Sequence, residues 1–383
     1  MDWSFLIKNK DSLNVTTDSR KVTPGSVFVA LKGEHFDGND FVEQAEKDGA
    51  EYIIKGENAL AELQDLARAW RQSLNIPVLA ITGTNGKTTT KELCAAVLST
   101  KYNVLYTQGN YNNSLGVPLT LLKLTRAHEI AIIEMGASHP GDIKELVEIA
   151  EPTCGLITNV GRAHLQGFGS FEGVQRTKAE LYDYLRAHRG FCFRNIDNPY
   201  LAKMAGDLLT VPYTTGQMPE GTHLVGAYNA ENVSAALCVG AYFGVLPKDA
   251  LSAIRSYVPS NNRSQLMQTE KNTVVVDAYN ANPTSMQAAI NAFKGNTYIL
   301  GAMRELGDYS HTEHQNIVNM LLERKADTVL LVGDEYKGTT APYTVFENVE
   351  ALCAYLAEHP IKGAQILLKG SRSNQLEKVI PYL

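Results

Sequence analysis

The run from Val78 to Lys91, Val-Leu-Ala-Ile-Thr-Gly-Thr-Asn-Gly-Lys-Thr-Thr-Thr-Lys, limits what this chain can become more than any other stretch. Its apolar start, Val78 to Ile81, predicts a short buried strand. Gly83 and Gly86 follow, then Lys87 and Thr88, and helical spacing continues over 87–98. A strand that turns through glycines into a helix aims backbone N–H groups at one point, and the helix adds the positive end of its dipole. Such a turn cradles phosphate. Gly83, Thr84, Asn85, Gly86, Lys87, Thr88 and Thr89 are the candidate cradle. Lys87 would reach the terminal phosphates, and the Thr88 hydroxyl would sit on Mg²⁺. Only Thr84 and Asn85 separate the glycines, fewer residues than in the standard nucleotide loop. The alternative is a threonine-capped helix start with an exposed lysine. The strand before it supplies the context that a phosphate loop needs.

Strand and helix patterns alternate through the rest of the chain. Val27 to Leu31 and Tyr52 to Ile54 read as strands, with helical spacing over 41–49 and 59–74. Strand-like runs at 78–81, 130–133, 155–158 and 190–193 alternate with helical patterns at 87–98, 141–150 and 171–187. A second alternation follows: strands at 274–276, 298–300, 329–332 and 366–368, with helices at 284–293, 311–324 and 348–358. Alternation of this kind predicts mostly parallel sheets covered on both faces. Pro77 and the stretch Val258-Pro259-Ser260-Asn261-Asn262 mark boundaries. The expected fold class is α/β in three domains: a small N-terminal α/β domain (1–76), a central parallel-sheet ATPase domain of P-loop type (77–258), and a C-terminal Rossmann-like α/β domain (259–383).

In parallel sheets ligands collect at the carboxyl ends of strands, and those ends are polar here. Glu134 follows Ile130 to Ile133, where a carboxylate would suit Mg²⁺ or simply end a strand in solvent. Thr158-Asn159 leads to Gly161 and His164, a metal ligand or a structural histidine. Asn112 and Asn113 would cap a helix or present amides to a substrate. Asn229 and Asn232 are three apart at a helix start and share a face, so they could read a purine edge or cap. Asp277, Tyr279 and Asn280, then Arg304 and Glu305, then Lys369, Ser371 and Arg372 end strands of the last domain. Near the N-terminus, Asp18-Ser19-Arg20 could hold a diphosphate through the Ser hydroxyl and the Arg fork, or form a local ion pair on a turn. Lys178 reads as an ordinary helix lysine; chemistry does not single it out.

A net charge of -6 argues against nucleic acid held by charge alone. The five cysteines, Cys94, Cys154, Cys192, Cys238 and Cys353, form no C-x-x-C pair and are expected to be small buried hydrophobes. No apolar run is long enough for a membrane span, and Met1 to Lys10 lacks the apolar core of a signal peptide. A cytoplasmic monomer is expected.

Together these motifs resemble the Mur ligase family, the amide ligases of peptidoglycan synthesis. The resemblance covers nearly the whole chain. Thr82 to Thr89 matches the family's own shortened phosphate loop, and Glu134-Met135-Gly136, Thr158 to His164 and Lys178 fall in its order. Asp277 to Met286, Leu300 to Gly307 and Leu368 to Arg372 are most similar to the members that join D-alanyl-D-alanine to UDP-N-acetylmuramoyl-tripeptide. The resemblance implies ATP and Mg²⁺ as cofactors, with those two small molecules as substrates. It implies that Lys87 and Thr88 hold phosphates and metal, that Glu134 and His164 are metal ligands, and that Lys178 is carbamylated into a further metal ligand. It brings Asn229 and Asn232 to adenine, Asp277 to ribose and Arg263 to the phosphates. It puts Asn112, Asn113, Tyr279, Asn280 and Ser371 near the peptide substrates and Asp18, Ser19 and Arg20 at the uridine diphosphate end. Some positions depart from the family pattern. Tyr228 and Asn39 stand where His is usual, and Ala302 where an acid is common; Asp197-Asn198-Pro199 lies in the wrong domain for a similar-looking motif of another member. A related ligase with a different acceptor would share the chemistry. A non-catalytic nucleotide-gated binder would not need Lys87, Glu134, His164 and Lys178 together.

Overall fold

A computed structural model describes residues 2–226, 228–259 and 262–383. Met1 and Ala227 therefore lie outside the described residues, as do Ser260 and Asn261 of the second boundary stretch. The strands are β1 (Val15–Thr16), β2 (Val27–Val29), β3 (Tyr52–Ile54), β4 (Val78–Thr82), β5 (Val104–Tyr106), β6 (Ile130–Glu134), β7 (Cys154–Ile157), β8 (Phe191–Asn195) and β9 (Thr210–Tyr213). The last unit holds β10 (Gln265–Gln268), β11 (Thr273–Asp277), β12 (Thr297–Gly301), β13 (Thr328–Val332), β14 (Thr344–Phe346) and β15 (Gln365–Lys369). They form three sheets, ordered β1-β2-β3, β5-β6-β4-β7-β8-β9 and β10-β11-β15-β12-β13-β14.

The central sheet is parallel throughout. Every residue of β4, β6 and β7 is buried, so up to the terminal Thr82 and Glu134 these strands are apolar runs that show no alternation with polar residues. The alternation appears instead between two cores. Val78, Ala80, Ala131 and Ile133 face one side, and Leu79, Ile81, Ile130 and Ile132 face the other. β4 lies between β6 and β7, so the connections leaving these strands run to opposite sides. The crevice at the carboxyl end of β4 is where such a sheet opens for ligands.

The helix Ala59–Ser73 fixes the first sheet to the central one. Leu63, Leu66, Ala67 and Trp70 form its buried stripe at the spacing of one helical face. Trp70 Nε1 donates to Leu124 O at 3.0 Å, and Arg71 donates to Ala150 O at 3.1 Å and Glu151 O at 3.0 Å. Arg71 thus satisfies carbonyls left open at the end of the helix Asp142–Ala150.

The third sheet is parallel except for β10, which pairs antiparallel with β11. Its strands also split into two cores, with Val275, Leu300 and Leu331 on one face and Val276, Ile299 and Leu330 on the other. The strands absent from the sequence reading, β1, β5, β9, β10 and β14, are short and only partly buried. Half-buried strands carry too few apolar residues to declare a period. All five cysteines are free, but Cys238 and Cys353 are only partly buried, which corrects the expectation for those two. Among the described residues no helix is long and apolar enough to cross a membrane.

Candidate active site

Thr82, the last residue of β4, donates its hydroxyl to Met135 O at 2.8 Å. The chain then turns at Gly83 and Gly86, which have φ of 143° and 77°. Side chains have no room at either turn. A Cβ at Gly83 would stand 2.0 Å from Thr158 Oγ1, and one at Gly86 would stand 2.4 Å from Asn232 Oδ1. The stretch after β7 laces the loop in place. Thr84 N donates to Asn159 O at 3.0 Å, Asn85 N to Asn159 Oδ1 at 3.0 Å, and Thr158 Oγ1 to Asn85 O at 2.6 Å. The helix Lys87–Leu98 begins immediately after Gly86. Lys87 Nζ folds back onto Gly83 O at 2.8 Å and Thr84 O at 3.1 Å. Burial pushes its pKa down to about 8; Glu134 opposes the shift and Arg263 adds to it.

Glu134 closes β6 with its side chain almost wholly buried. Its Oε1 accepts from Thr88 Oγ1 at 3.1 Å and Asn112 Nδ2 at 2.9 Å, while among the described residues Oε2 has no hydrogen-bond partner. An unsatisfied buried carboxylate oxygen beside a hydroxyl, at the mouth of a phosphate loop, fits a hard divalent cation that takes oxygen ligands. Among the described residues no group of three or more His, Cys, Asp or Glu could hold a metal. The donor set is therefore one that phosphate oxygens or water would have to complete. Asn113 does what a capping residue does: its Oδ1 accepts from Gly116 N at 2.8 Å where a helix begins. Asn112 takes the other role considered for the pair, presenting its amide to the site.

His164 has φ of 50° and turns its Nδ1 to the carboxylate of Glu305, a residue of the third unit. Burial lowers its pKa, opposed by Glu305 and assisted by Lys87. Lys178 lies in the helix Phe171–Ala187 and is 2% exposed. Among the described residues its ammonium has no hydrogen bond or ion pair, only the Phe168 ring at 5.7 Å. Burial holds its pKa well below the ordinary lysine value, and Lys87 lowers it further.

Asn229 and Asn232 open the helix Asn229–Tyr242, and both are buried. Asn232 Nδ2 donates to Asn229 Oδ1 at 2.9 Å, Asn229 Nδ2 to Val225 O at 2.7 Å, and Thr90 Oγ1 to Asn232 Oδ1 at 3.0 Å. The amide pair thus ties this helix to Thr90 in the helix that follows the loop. Across the cavity, Asp277 pairs with Lys369 at 2.6 Å, and Lys369 also donates to Asn280 O at 3.1 Å. The Arg263 guanidinium lies 3.9 Å from the Tyr279 ring centre, and that of Arg372 lies 5.6 Å from it. Ser371 Oγ donates to Ala302 O at 2.9 Å. Tyr228, in the place of the family's usual His, shares a 2.6 Å hydrogen bond with Ser264.

One cavity of about 1000 Å³ gathers these groups. Of the sequence-predicted residues, Thr84 to Thr89, Asn112, Asn113, Glu134, His164, Asn229, Asn232, Arg263, Asp277, Tyr279, Asn280 and Ser371 line it. Gly83 and Lys178 are not on its wall. Asp18, Ser19 and Arg20 stand apart from it on a turn after β1. There the Arg20 fork donates to the Asp18 carboxylate at 2.8 and 2.9 Å, and the pairing holds the Asp18 carboxyl down at about 2.

Two groups went unnoticed in the sequence. Lys91, three residues beyond Thr88, faces Glu134; helical spacing alone puts both on one face. Asn282 meets the loop residue Asn85 from the third unit. Its signal was the N-cap pattern Asn-Pro-Thr-Ser, with Pro at the first helical position.

The chain is similar to known proteins over nearly its whole length. Residues 13–101 match the Mur ligase family catalytic domain, 81–211 the Mur ligase middle domain, and 262–372 the Mur ligase glutamate ligase domain. The UDP-N-acetylmuramoyl-tripeptide--D-alanyl-D-alanine ligase of Bacillus subtilis is 35% identical over 427 residues, covering 96% of this chain and 92% of that one. The enzyme of the same name from Escherichia coli is 33% identical, covering 96% and 93%. Among solved structures, the MurF ligase of Thermotoga maritima in complex with ADP superposes with a TM-score of 0.86 at 29% identity, covering 98% of each chain. The chain belongs to the Mur ligase family.

Proposed function

We propose that this chain is an ATP-dependent amide ligase that joins D-alanyl-D-alanine to UDP-N-acetylmuramoyl-tripeptide, in the cytoplasm and as a monomer. One observation carries the reading. A single cavity brings the phosphate loop and Glu134 of the central unit opposite Arg263, Asp277, Tyr279 and Lys369 of the third. Reactants held on separate units meet where those units close.

In this reaction the tripeptide's terminal carboxylate attacks the γ-phosphorus of ATP, and ADP leaves. The dipeptide amine then attacks the acyl carbon of the acyl phosphate, and the tetrahedral intermediate expels inorganic phosphate. The protein's work is positioning and charge neutralisation. Backbone N–H groups of the loop and the Lys87 ammonium would hold the phosphates. Lys87 needs only to leave Gly83 O and Thr84 O to do so. Arg263, braced on the Tyr279 ring, would offset repulsion between the carboxylate and the triphosphate. Thr88, Glu134 and His164 would hold Mg²⁺, which when bound neutralises the phosphate oxygens and polarises the phosphorus. Lys178 fits its implied modification, because burial and the nearby Lys87 lower its pKa and so favour the neutral amine that adds CO₂. Asn229 and Asn232 would approach the adenine and Asp277 the ribose, while Asn112, Asn113, Asn280 and Ser371 would border the peptides. Asp18, Ser19 and Arg20 would hold the uridine diphosphate end, with Arg20 exchanging Asp18 for phosphate. We divide the work among units 1–76, 77–258 and 259–383.

The test is to combine enzyme, ATP, Mg²⁺ and UDP-tripeptide, with and without D-alanyl-D-alanine, and follow phosphate release. The reading predicts release that depends on the dipeptide, together with a product heavier by the dipeptide less water. Phosphate release indifferent to the dipeptide would sink it.

A further inference from the structure

Lys91 is buried beside the candidate metal carboxylate, with its side chain 1% exposed. Its Nζ lies 3.8 Å from Glu134 Oε2 and 3.6 Å from Glu92 Oε1. Among the described residues, neither Lys91 Nζ nor Glu134 Oε2 makes a hydrogen bond. Glu92 is anchored from its far side, where the Tyr257 hydroxyl donates to its Oε2 at 2.6 Å. The Tyr106 ring lies 5.7 Å from the ammonium. A buried ammonium needs a counter-charge. This one has two, one on each side, and closes a hydrogen bond with neither. On Glu134 the geometry is one-sided: Thr88 and Asn112 use Oε1, and among the described residues Lys91 is the one cation within ion-pair distance of Oε2.

We propose that Lys91 is the internal counter-ion of the metal site. It neutralises Glu134 in the metal-free enzyme and shifts toward Glu92 when a divalent cation takes Oε2. Tyr257 keeps Glu92 in place to receive it. Lys91 is not among the described residues that line the cavity and is a positioning residue. Its charge sets how tightly the cation binds, and the Glu92 carboxylate sets how readily Lys91 yields. The proposal rests on the reading of Glu134 as a metal ligand.

Two carboxylates and one ammonium predict an ordering that a merely structural lysine does not. Mn²⁺ is titrated into the full-length enzyme and free ion is followed by electron paramagnetic resonance. Lys91→Met removes the competing cation and should bind Mn²⁺ about tenfold more tightly than the native enzyme. Glu92→Gln leaves Lys91 to Glu134 alone and should bind about threefold more weakly. The double variant has no lysine left for position 92 to receive and should bind about as tightly as Lys91→Met alone. Thermal melting in the absence of metal accompanies each titration. Lys91→Met should melt lower without Mn²⁺ and recover more on adding it than the native protein does. If Lys91→Met does not fold, the weakened binding of Glu92→Gln still decides. Binding by Glu92→Gln equal to or tighter than native would overturn the proposal, as would Lys91→Met binding no tighter than native. Glu134→Gln separates the two readings: if it takes up Mn²⁺ as the native enzyme does, Glu134 is no ligand and the counter-ion role falls with it.

Discussion

Asn85 and Asn282 exchange amide hydrogen bonds across the seam between the phosphate loop and the third unit. Asn282 Nδ2 donates to Asn85 Oδ1 at 2.8 Å, and Asn85 Nδ2 donates back at 3.4 Å. Asn282 also caps the helix Pro283–Ala292, its Oδ1 accepting from Ser285 N at 2.9 Å. The loop that would hold phosphate is thus fastened to the start of a helix in the unit that would hold the acceptor. Further contacts cross the same seam: Arg162 N to Thr284 Oγ1 at 3.0 Å, Arg162 to Glu313 at 3.0 Å, and His164 to Glu305. These contacts join the two units directly along the seam.

The amide exchange makes a separable prediction. Asn282→Ala loses both the cap and the seam, and should lower the melting temperature by the loss of about 1 kcal/mol. Asn282→Asp keeps the cap but offers Asn85 no amide donor. It should leave melting near native while lowering kcat about fivefold, the worth of one neutral hydrogen bond. Melting curves and steady-state rates on the same preparations check this.

Tyr279 supports Arg263 through its ring face. Tyr279→Phe keeps the face and should retain near-native turnover. Tyr279→Leu removes it and should lower kcat/KM for ATP about fivefold, in line with a partly desolvated cation–π contact. Equal losses in the two variants would mean that the hydroxyl, not the ring, matters.

Lys178 separates stability from activity. Among the described residues it makes no hydrogen bond or ion pair, and the Asp142 and Glu180 carboxylates attract it only from a distance, so Lys178→Met should melt no lower than the native protein. The same change, or Lys178→Ala, should abolish nearly all ligation, with partial return on adding small carboxylates to the alanine variant. Wild-type turnover in Lys178→Ala would remove the carbamate.

Lys87 gives a pH prediction with a definite sign. Its folded pKa is about 8, below the ordinary lysine value of 10.5. Between these values the unfolded chain binds more protons, so this group's contribution to stability rises with pH across that window. The contribution is fully present above pH ~10.5 and is lost as pH falls through ~8. The melting difference between native protein and Lys87→Met, measured from pH 7.5 to 10, should move in favour of native as pH rises. ATP with Mg²⁺ should flatten the trend by giving the ammonium a counter-charge.

What could be read in the sequence was local. The order from strand to glycines to Lys87 and Thr88 is contiguous, and Glu134 directly follows its apolar strand, so short-range pattern found both. Lys178 shows the limit: its neighbours have ordinary helix spacing, and its burial comes from the packing of other segments around it. The Asn85–Asn282 pair joins residues on different units, and no period or motif announces such a contact. Edge strands such as β9 and β14 escaped because half-buried strands carry weak alternation. The turn at Asp18 was ambiguous for a different reason. Arg20 and Asp18 satisfy one another locally, and Arg20 is 86% exposed, so the same residues suit an idle ion pair and a diphosphate clamp equally well.

The central claim is that carboxylate oxygen passes to phosphate before the amide forms. UDP-tripeptide labelled with ¹⁸O in its terminal carboxylate, turned over with ATP, Mg²⁺ and D-alanyl-D-alanine, tests this most directly by mass spectrometry of the released phosphate. The mechanism predicts one labelled oxygen carried from each labelled carboxylate into phosphate, with the other kept in the new amide. Phosphate released without label would contradict it.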